Sequence, residues 1–375
     1  MASNVELFID GVIFSGWISV RVTRSIEQLA GSFELDIMMP GQSVPSSLRA
    51  GLPLKLTINS QAVITGYLDV VTQRIDESTI TVSVQGRDKT GDLVDCAAIY
   101  KGGQWKNRTL AQIAADLCAP FGIKVHWLLN DTQAAKPFGS FTLELSETVS
   151  DTLTRAARHR GVLVTSNAEG DLVFTQAGNV QTDTLTLGEN LLRCDYSVDW
   201  RNRFSEYQIK GHSGGGGKKG DAKTASLIAA PKGKAADDTI TRYRPRVVLA
   251  DQKIDAESAR QRALREERRA IAKSIRFQCS VRGWFRENGG LWEPNLLTRV
   301  SAPRVGVEAQ SLLISQVQFS LDASGGETTS LTLAPREAFL VPAEPDRKGS
   351  NSGGDAGGID RLVNGWLNKG GKLNE

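Results

Sequence analysis

The chain has 375 residues, with 45 Lys and Arg against 42 Asp and Glu, 40% hydrophobic and 23% charged residues, and a net charge of +3. That length allows two or three folded units of ordinary globular composition, and the net charge is too small to announce a nucleic-acid binder by itself. No apolar run is long enough to cross a bilayer as a helix, and MASNVELFIDG lacks the basic-then-apolar order of a signal peptide, so neither membrane insertion nor export is expected.

The first ninety residues read as one short strand after another. VELFI and VIFSGW flank Asp10-Gly11, the pair that supplies positive φ for a type I′ hairpin. ISVRVTR alternates Ile18, Val20 and Val22 with polar neighbours, and SFELDIM alternates Phe33, Leu35 and Ile37. LPLKLTI, AVITGYLDVV and TITVSVQ follow, separated by Gly, Pro, Asn and Asp. Strict period-two alternation argues for antiparallel sheet with one wet face.

From residue 96 the pattern changes. NRTLAQIAADLCAPFGI puts Leu110, Ile113, Ala114 and Leu117 on one helical face, with Asn107 as the expected N-cap and Pro120 as the stop. SETVSDTLTRAARHRG predicts a second helix ending at Gly161, and VLVTSNAEGDLVF a hairpin turning over Asn167 to Gly170. Strand patterns return in RFSEYQIKG, RPRVVLAD, IRFQCSVRGW, LLTRVSA, SLLISQVQFSL and TSLTLAPRE. They are interrupted by a helix over about 255–273 whose narrow stripe of Ala256, Ala259, Ala263 and Ala270 suits close packing on a sheet. The expected organisation is a first β-barrel domain over 1–95, an α+β module over 96–190, and a second β-barrel domain over 191–345. That last domain is expected to carry a mobile Gly-rich loop over 211–238, and a disordered tail is expected over 346–375. Within that tail IDRLVNGWL is a short apolar patch that could dock as a helix.

The two β regions resemble each other. At a shift of 249 residues QAVITGYLDV overlays QSLLISQVQF, and Val82–Asp88 overlays Leu331–Glu337 in the same register. The fold class expected is therefore mainly β, two related antiparallel barrels with an α+β insertion.

Chemical motifs fare poorly. Asp88-Lys89-Thr90-Gly91 resembles the phosphorylated aspartate motif of P-type ATPases, but the preceding strand alternates where that site needs a doubly buried parallel strand. Asp88 is expected to be a surface or interface carboxylate at the exit of a barrel. Gly211-His212-Ser213-Gly214-Gly215 matches a nucleophile elbow by letters, yet GGGKKGD cannot start the helix that the elbow requires. Gly217-Lys218 lacks the earlier glycine and the following Ser or Thr of a phosphate-binding loop. His126, His159 and His212 have no helical pairing, and Cys96, Cys118, Cys194 and Cys279 form no CxxC, so no metal or other cofactor is expected and the thiols are expected to be reduced, mostly in packing positions. Nothing here founds an enzyme.

Several long stretches nevertheless form a recognisable set: GWISVRVTRSIEQLAGSFEL, GRDKTGDLVDCAAIYKGGQWKNRTLAQIAADLCAPFGI, TRYRPRVVLAD, ALREERRAIAKSI and LTLAPREAFLVP. In this order they resemble the baseplate hub proteins of phage Mu and Mu-like prophages, from the N-terminus to about residue 347. The resemblance implies a non-enzymatic virion component, assembled in the host cytoplasm and placed in the baseplate of a contractile tail. It implies a ring-shaped homotrimer joining the tail tube and other baseplate proteins to the central spike, with DNA passing transiently through the ring. Three chains with two barrels each would adapt threefold to sixfold symmetry. Hubs of tail-like bacteriocins or secretion devices, and lytic tail hubs, are the alternatives. Residues 242–273 hold ten Lys/Arg against five Asp/Glu. Under the resemblance Arg242, Arg244, Arg246, Arg260, Arg262, Arg265, Arg268 and Arg269 become candidates for the channel or a subunit seam.

Overall fold

Asp10 and Gly11 both take positive φ, 48° and 75°, so the hairpin expected from Asp-Gly closes strands β1 (Val5–Ile9) and β2 (Val12–Phe14). The computed structural model describes residues 3–40, 45–76, 79–132, 134–210, 231–249, 256–323 and 325–340. The first β region continues with β3 (Ser19–Ser25), β4 (Ser32–Pro40), β5 (Pro53–Ile58), β6 (Gln61–Ile75) and β7 (Thr79–Asp88). Val5, Leu7, Ile9, Val20, Val22, Phe33 and Leu35 all point inward, as the alternation predicts. Between β5 and β6 the left-handed pair is Asn59-Ser60, at φ 47° and 65°.

The middle module is built from α1 (Gly91–Asp95), β8 (Gln104–Arg108), α2 (Leu110–Cys118), β9 (Val125–Trp127), β10 (Phe138–Thr142), α3 (Val149–Arg160), β11 (Leu163–Ser166) and β12 (Leu172–Thr175). Helix α2 buries Leu110, Ile113, Ala114 and Leu117 as expected, but its N-cap is Thr109 rather than Asn107. Thr109 and Gln112 exchange side-chain hydrogen bonds with each other's backbone N–H, which satisfies two otherwise orphaned donors. Asn107 instead stays in β8 with φ 51°. Helix α3 stops at Gly161, whose φ of 68° supplies the left-handed cap.

The second β region comprises β13 (Leu185–Thr186), β14 (Leu191–Val198), β18 (Ile275–Arg282), β19 (Leu297–Ala302), β20 (Val307–Asp322) and β21 (Gly326–Ala334). Between β14 and β18 lie β15 (Glu206–Lys210), β16 (Pro231–Ala236), β17 (Pro245–Leu249) and helix α4 (Ala256–Ser274). The loop expected over 211–238 is thus shorter than its composition suggested. Residues 231–236 pair antiparallel with β15, because alternate side chains there still find a covered face beneath α4. Residues 211–230, with the elbow-like and phosphate-loop-like motifs, and the tail over 346–375 with IDRLVNGWL lie outside the described residues.

Helix α4 lies on this small sheet through Ala259 and Ala263, while Ala256 of the expected stripe is exposed and Ala272 and Ser274 are buried instead. The approach is close enough that a Cβ on Gly233 would sit 2.3 Å from the Ala259 carbonyl carbon. Gly233→Ala is therefore expected to cost about 1–3 kcal/mol, since helix backbone rather than a flexible side chain must yield. A fall in the urea midpoint with helicity preserved would show it; an unchanged midpoint would mean that the helix rides freely.

The two β regions share one topology. The order β3-β4-β7-β6-β5 in the first is matched by β14-β18-β21-β20-β19 in the second. Each long hairpin carries a bulge, at Asp69 between Leu68 and Val70 and at Ser315 between Ile314 and Gln316. Matching the bulges places Val71 with Val317, Val84 with Leu331 and Phe33 with Phe277. The shift in the first strand of the hairpin is then 246 (69 to 315), not the 249 suggested by Gln61 and Gln310. An odd difference of three would exchange inward and outward faces, which burial forbids. Asp88 accordingly matches Pro335 and not Glu337.

The regions are also joined. Strand β20 pairs with β3 from Gln316↔Ser25 to Leu321↔Val20, so the barrels share a 13-stranded sheet among the described residues. Their apolar interiors meet at this seam, where Val317, Phe319, Val20 and Val22 are all buried.

Candidate assembly surface

The stretch GRDKTGD is a junction. Asp88, expected at the surface or at an interface, lies at an interface and is 3% exposed. Its carboxylate accepts hydrogen bonds from Gly31 N (2.7 Å), Thr90 N (2.9 Å), Thr90 Oγ1 and, across from the middle module, Ser166 Oγ (2.6 Å). Burial pushes this carboxyl above the ordinary range, and those donors pull it back only in part. Its burial has a simple cause: β7 runs directly into α1, and the middle module folds back over that turn. Lys89 N reaches Thr65 O, and Gly170 sits at φ 73° where a Cβ would fall 2.3 Å from the same oxygen. A carboxylate whose oxygens are all engaged by protein donors is a staple between units.

The eight candidate arginines do not form one patch. Arg244 is spent internally, donating to the carbonyls of Arg203 (3.2 Å) and Arg201 (2.8 Å). Arg244 and Arg246 both lie over the Phe204 ring, at 5.5 and 5.3 Å from its centre. Arg246 and Arg269 line a cleft of about 710 Å³ between the middle module and α4, together with Arg158, Lys273 and Arg276. Glu27, Asp199 and Glu266 offset that charge, and Glu27 pairs with Arg276 at 3.1 Å. Burial, and then Arg269 beside it, holds Lys273 below the usual lysine range. Arg242, Arg260, Arg265 and Arg268 face solvent, and Arg262 is half-buried.

Sequence reading missed the open strand edges that the sheet topology exposes, two of them on β6 and β14. Past its bulge β6 keeps β7 on one side, and among the described residues no strand covers residues 70–75 on the other. Val70 and Ile75 are 44% and 74% exposed there. Among the described residues β18 is the one strand paired with β14, apart from a single bridge of Leu191 to Leu187, and Leu192 and Val198 are exposed. Unpaired N–H and C=O rows of this kind accept a further strand. Alternation alone could not reveal them, because an edge strand and a paired one carry the same period.

Among the described residues no cluster of three His, Cys, Asp or Glu could hold a metal ion, and no helix is long and apolar enough to cross a membrane. Cys118 and Cys279 are buried, which pushes both thiols up to about 12, whereas Cys194 is half-buried and Cys96 exposed.

Comparison with known proteins gives a consistent picture. Residues 4–88 match the family described as Mu phage baseplate assembly protein GpP-like, N-terminal. Residues 90–176 match baseplate hub protein gp44-like, second domain, and residues 255–342 match Mu phage baseplate assembly protein GpP, fourth domain. The chain is 50% identical to the baseplate hub protein gp44 of Escherichia phage Mu over 97% of its own length and 96% of that protein's. Its fold resembles the 43 kDa tail protein of prophage MuSo2 from Shewanella oneidensis, with a TM-score of 0.79, 34% identity, and coverage of 90% of this chain and 100% of that one. The tail protein from Neisseria meningitidis MC58 shares the fold at a TM-score of 0.75 and 23% identity, over 92% of this chain and 100% of that one. The chain belongs to the baseplate hub proteins of Mu-like phages, structural components of the virion tail.

Proposed function

We propose that three copies of this chain close into a ring that joins the tail tube to the central spike, and that the duplicated barrels are what lets a threefold spike meet a sixfold tube. The observation that carries this reading is the seam between β3 and β20, which sets two topologically equivalent barrels side by side in one sheet. Such a contact is head-to-tail: the β20 edge of one barrel meets the β3 edge of the other. Head-to-tail contacts close into rings when the rotation between neighbours divides a full turn. Six barrels supplied by three chains would offer six similar faces above and three identical chains below.

The domain division that goes with this reading is a barrel over 1–95, an α+β module over 96–190 and a barrel over 191–345. The small unit of β15, β16, β17 and α4 is set into that last barrel and has its own apolar centre at Ile209, Ala235, Ala259 and Ala263. DNA would pass through the ring transiently, and Arg242, Arg260, Arg265 and Arg268 are the solvent-facing candidates for its wall or for a subunit seam. Arg244 has a structural task and is the weakest of the eight candidates. We take the work of this hub to be mechanical and not catalytic, on its likeness to the Mu hub protein.

Light scattering on the purified protein tests the ring. The expected species has three times the chain mass of 40.6 kDa, and particle images should show a ring with six lobes. A chain that stays monomeric at tens of micromolar, alone and with spike protein, would refute it.

A further inference from the structure

We infer that the ring is closed by a second strand pairing that copies the seam inside the chain: residues 70–75 of β6 pair antiparallel with residues 194–199, mainly β14, of a neighbouring copy. The inference rests on the ring reading and adds the surface and the register.

The internal seam supplies the template. Its β20 residues follow the bulge at Ser315, and they pair with β3. In the first barrel the residues following the equivalent bulge at Asp69 are Val70–Ile75, on the open edge of β6. In the second barrel the strand equivalent to β3 is β14, since β3 pairs with β4 as β14 pairs with β18. Each barrel therefore lends one edge to the internal seam and leaves the complementary edge open.

Register follows from the pairings. Val71, Gln73 and Ile75 hold the places of Val317, Phe319 and Leu321, and Cys194, Tyr196 and Val198 hold those of Val20, Val22 and Arg24. Copying the internal register sets Ile75 opposite Cys194, Gln73 opposite Tyr196 and Val71 opposite Val198, all on the inward face. On the outward face it sets Arg74 opposite Asp195, and Asp76, one step beyond β6, opposite Arg193. Arg193 and Asp195 now form a single exposed contact at 3.2 Å. The neighbouring edge would present the opposite charge to each of them, and an unrelated register would not.

Burial agrees. Phe319 is 1% exposed and Val22 fully buried where the seam exists, whereas the exposed Gln73 and the half-buried Tyr196 occupy the matching positions where the edge is open.

A thiol test reads this geometry directly. Ile75→Cys, made together with Cys96→Ser to remove the exposed thiol, would place a cysteine across from Cys194 of the next copy. Directly opposed residues in antiparallel strands have Cα atoms about 4.5–5.5 Å apart, within disulfide range. Mild oxidation is expected to give two-chain and three-chain species on a non-reducing gel, and adding Cys194→Ser should abolish both. Because strand geometry can disfavour a disulfide, charge reversal provides a second reading. Arg74→Glu and Asp195→Lys should each raise the dissociation constant of the assembly about tenfold, and the double variant should restore it. A particle of three chains that neither cross-links nor shows this compensation overturns the pairing while leaving the ring intact. A protein that never assembles removes the ring and this seam together.

Discussion

Asp237→Ala is expected to lower the stability of the chain by about 3–5 kcal/mol, since it strands a buried guanidinium. Arg203 and Asp237 have side chains 7% and 1% exposed and pair at 2.7 Å. Arg203 Nε also donates to Asp237 at 2.9 Å, and the Arg203 guanidinium rests 4.9 Å from the Trp200 ring centre. Thr239 Oγ1 donates to the same carboxylate at 2.6 Å, so every strong partner is supplied by the protein. Burial alone would raise the Asp237 carboxyl, but Thr239 and Arg203 outweigh it and the net displacement is downward. A carboxyl lowered by folding stabilises at pH above its unfolded value, about 3.9, and loses that contribution as pH falls through the lower folded value. The difference in urea midpoint between the parent and Asp237→Ala should be full at pH 7 and should narrow below about pH 4. A loss under about 1 kcal/mol, or a gap independent of pH, would mean that water already shares this pair.

Asp88→Ala is the second large effect, about 2–4 kcal/mol. It leaves the N–H groups of Gly31 and Thr90 and the hydroxyl of Ser166 buried around a void, and each unsatisfied group costs about 1–3 kcal/mol before relaxation. Asp88→Asn separates acceptor chemistry from packing. It keeps the shape but turns an NH₂ toward donors, so it should recover only part of the loss. Chemical denaturation of both variants measures this, and full recovery by asparagine would show that packing alone matters there. Because Ser166 belongs to the middle module, proteolysis should find that module loosened first in Asp88→Ala.

Asp88 staples the middle module to the first β region, and the proposed pairing of the open edges of β6 and β14 would extend such joints beyond the chain. In the proposed ring, strand pairing would be an advantage, because a row of backbone hydrogen bonds resists sliding along the seam better than side-chain contacts alone. That is also why the matched bulges are informative: at Ser315 the β19 pairing ends and the β3 pairing begins, while at Asp69 the β5 pairing ends and the edge is left open among the described residues.

The sequence by itself determined the local order of the molecule. Alternation marked most of the strands of both β regions, Asp10-Gly11 marked its turn, and the helical face around Ile113 and the helix end at Gly161 were legible because period and caps are local properties. It also carried the duplication, although with a register three residues off in the long hairpin, since amphipathic strands overlay almost equally well at several shifts. Strand β14 went unread because it alternates weakly on an open edge, and β16 because PKGKAA has the composition of a loop. Only the tertiary structure decided that Asp88 is buried, that Arg244 is spent on backbone carbonyls, and that the edges of β6 and β14 lie open among the described residues. These depend on contacts between residues far apart in the chain, such as Asp88 with Ser166 and Ser25 with Gln316, and no local period encodes which distant partner will arrive.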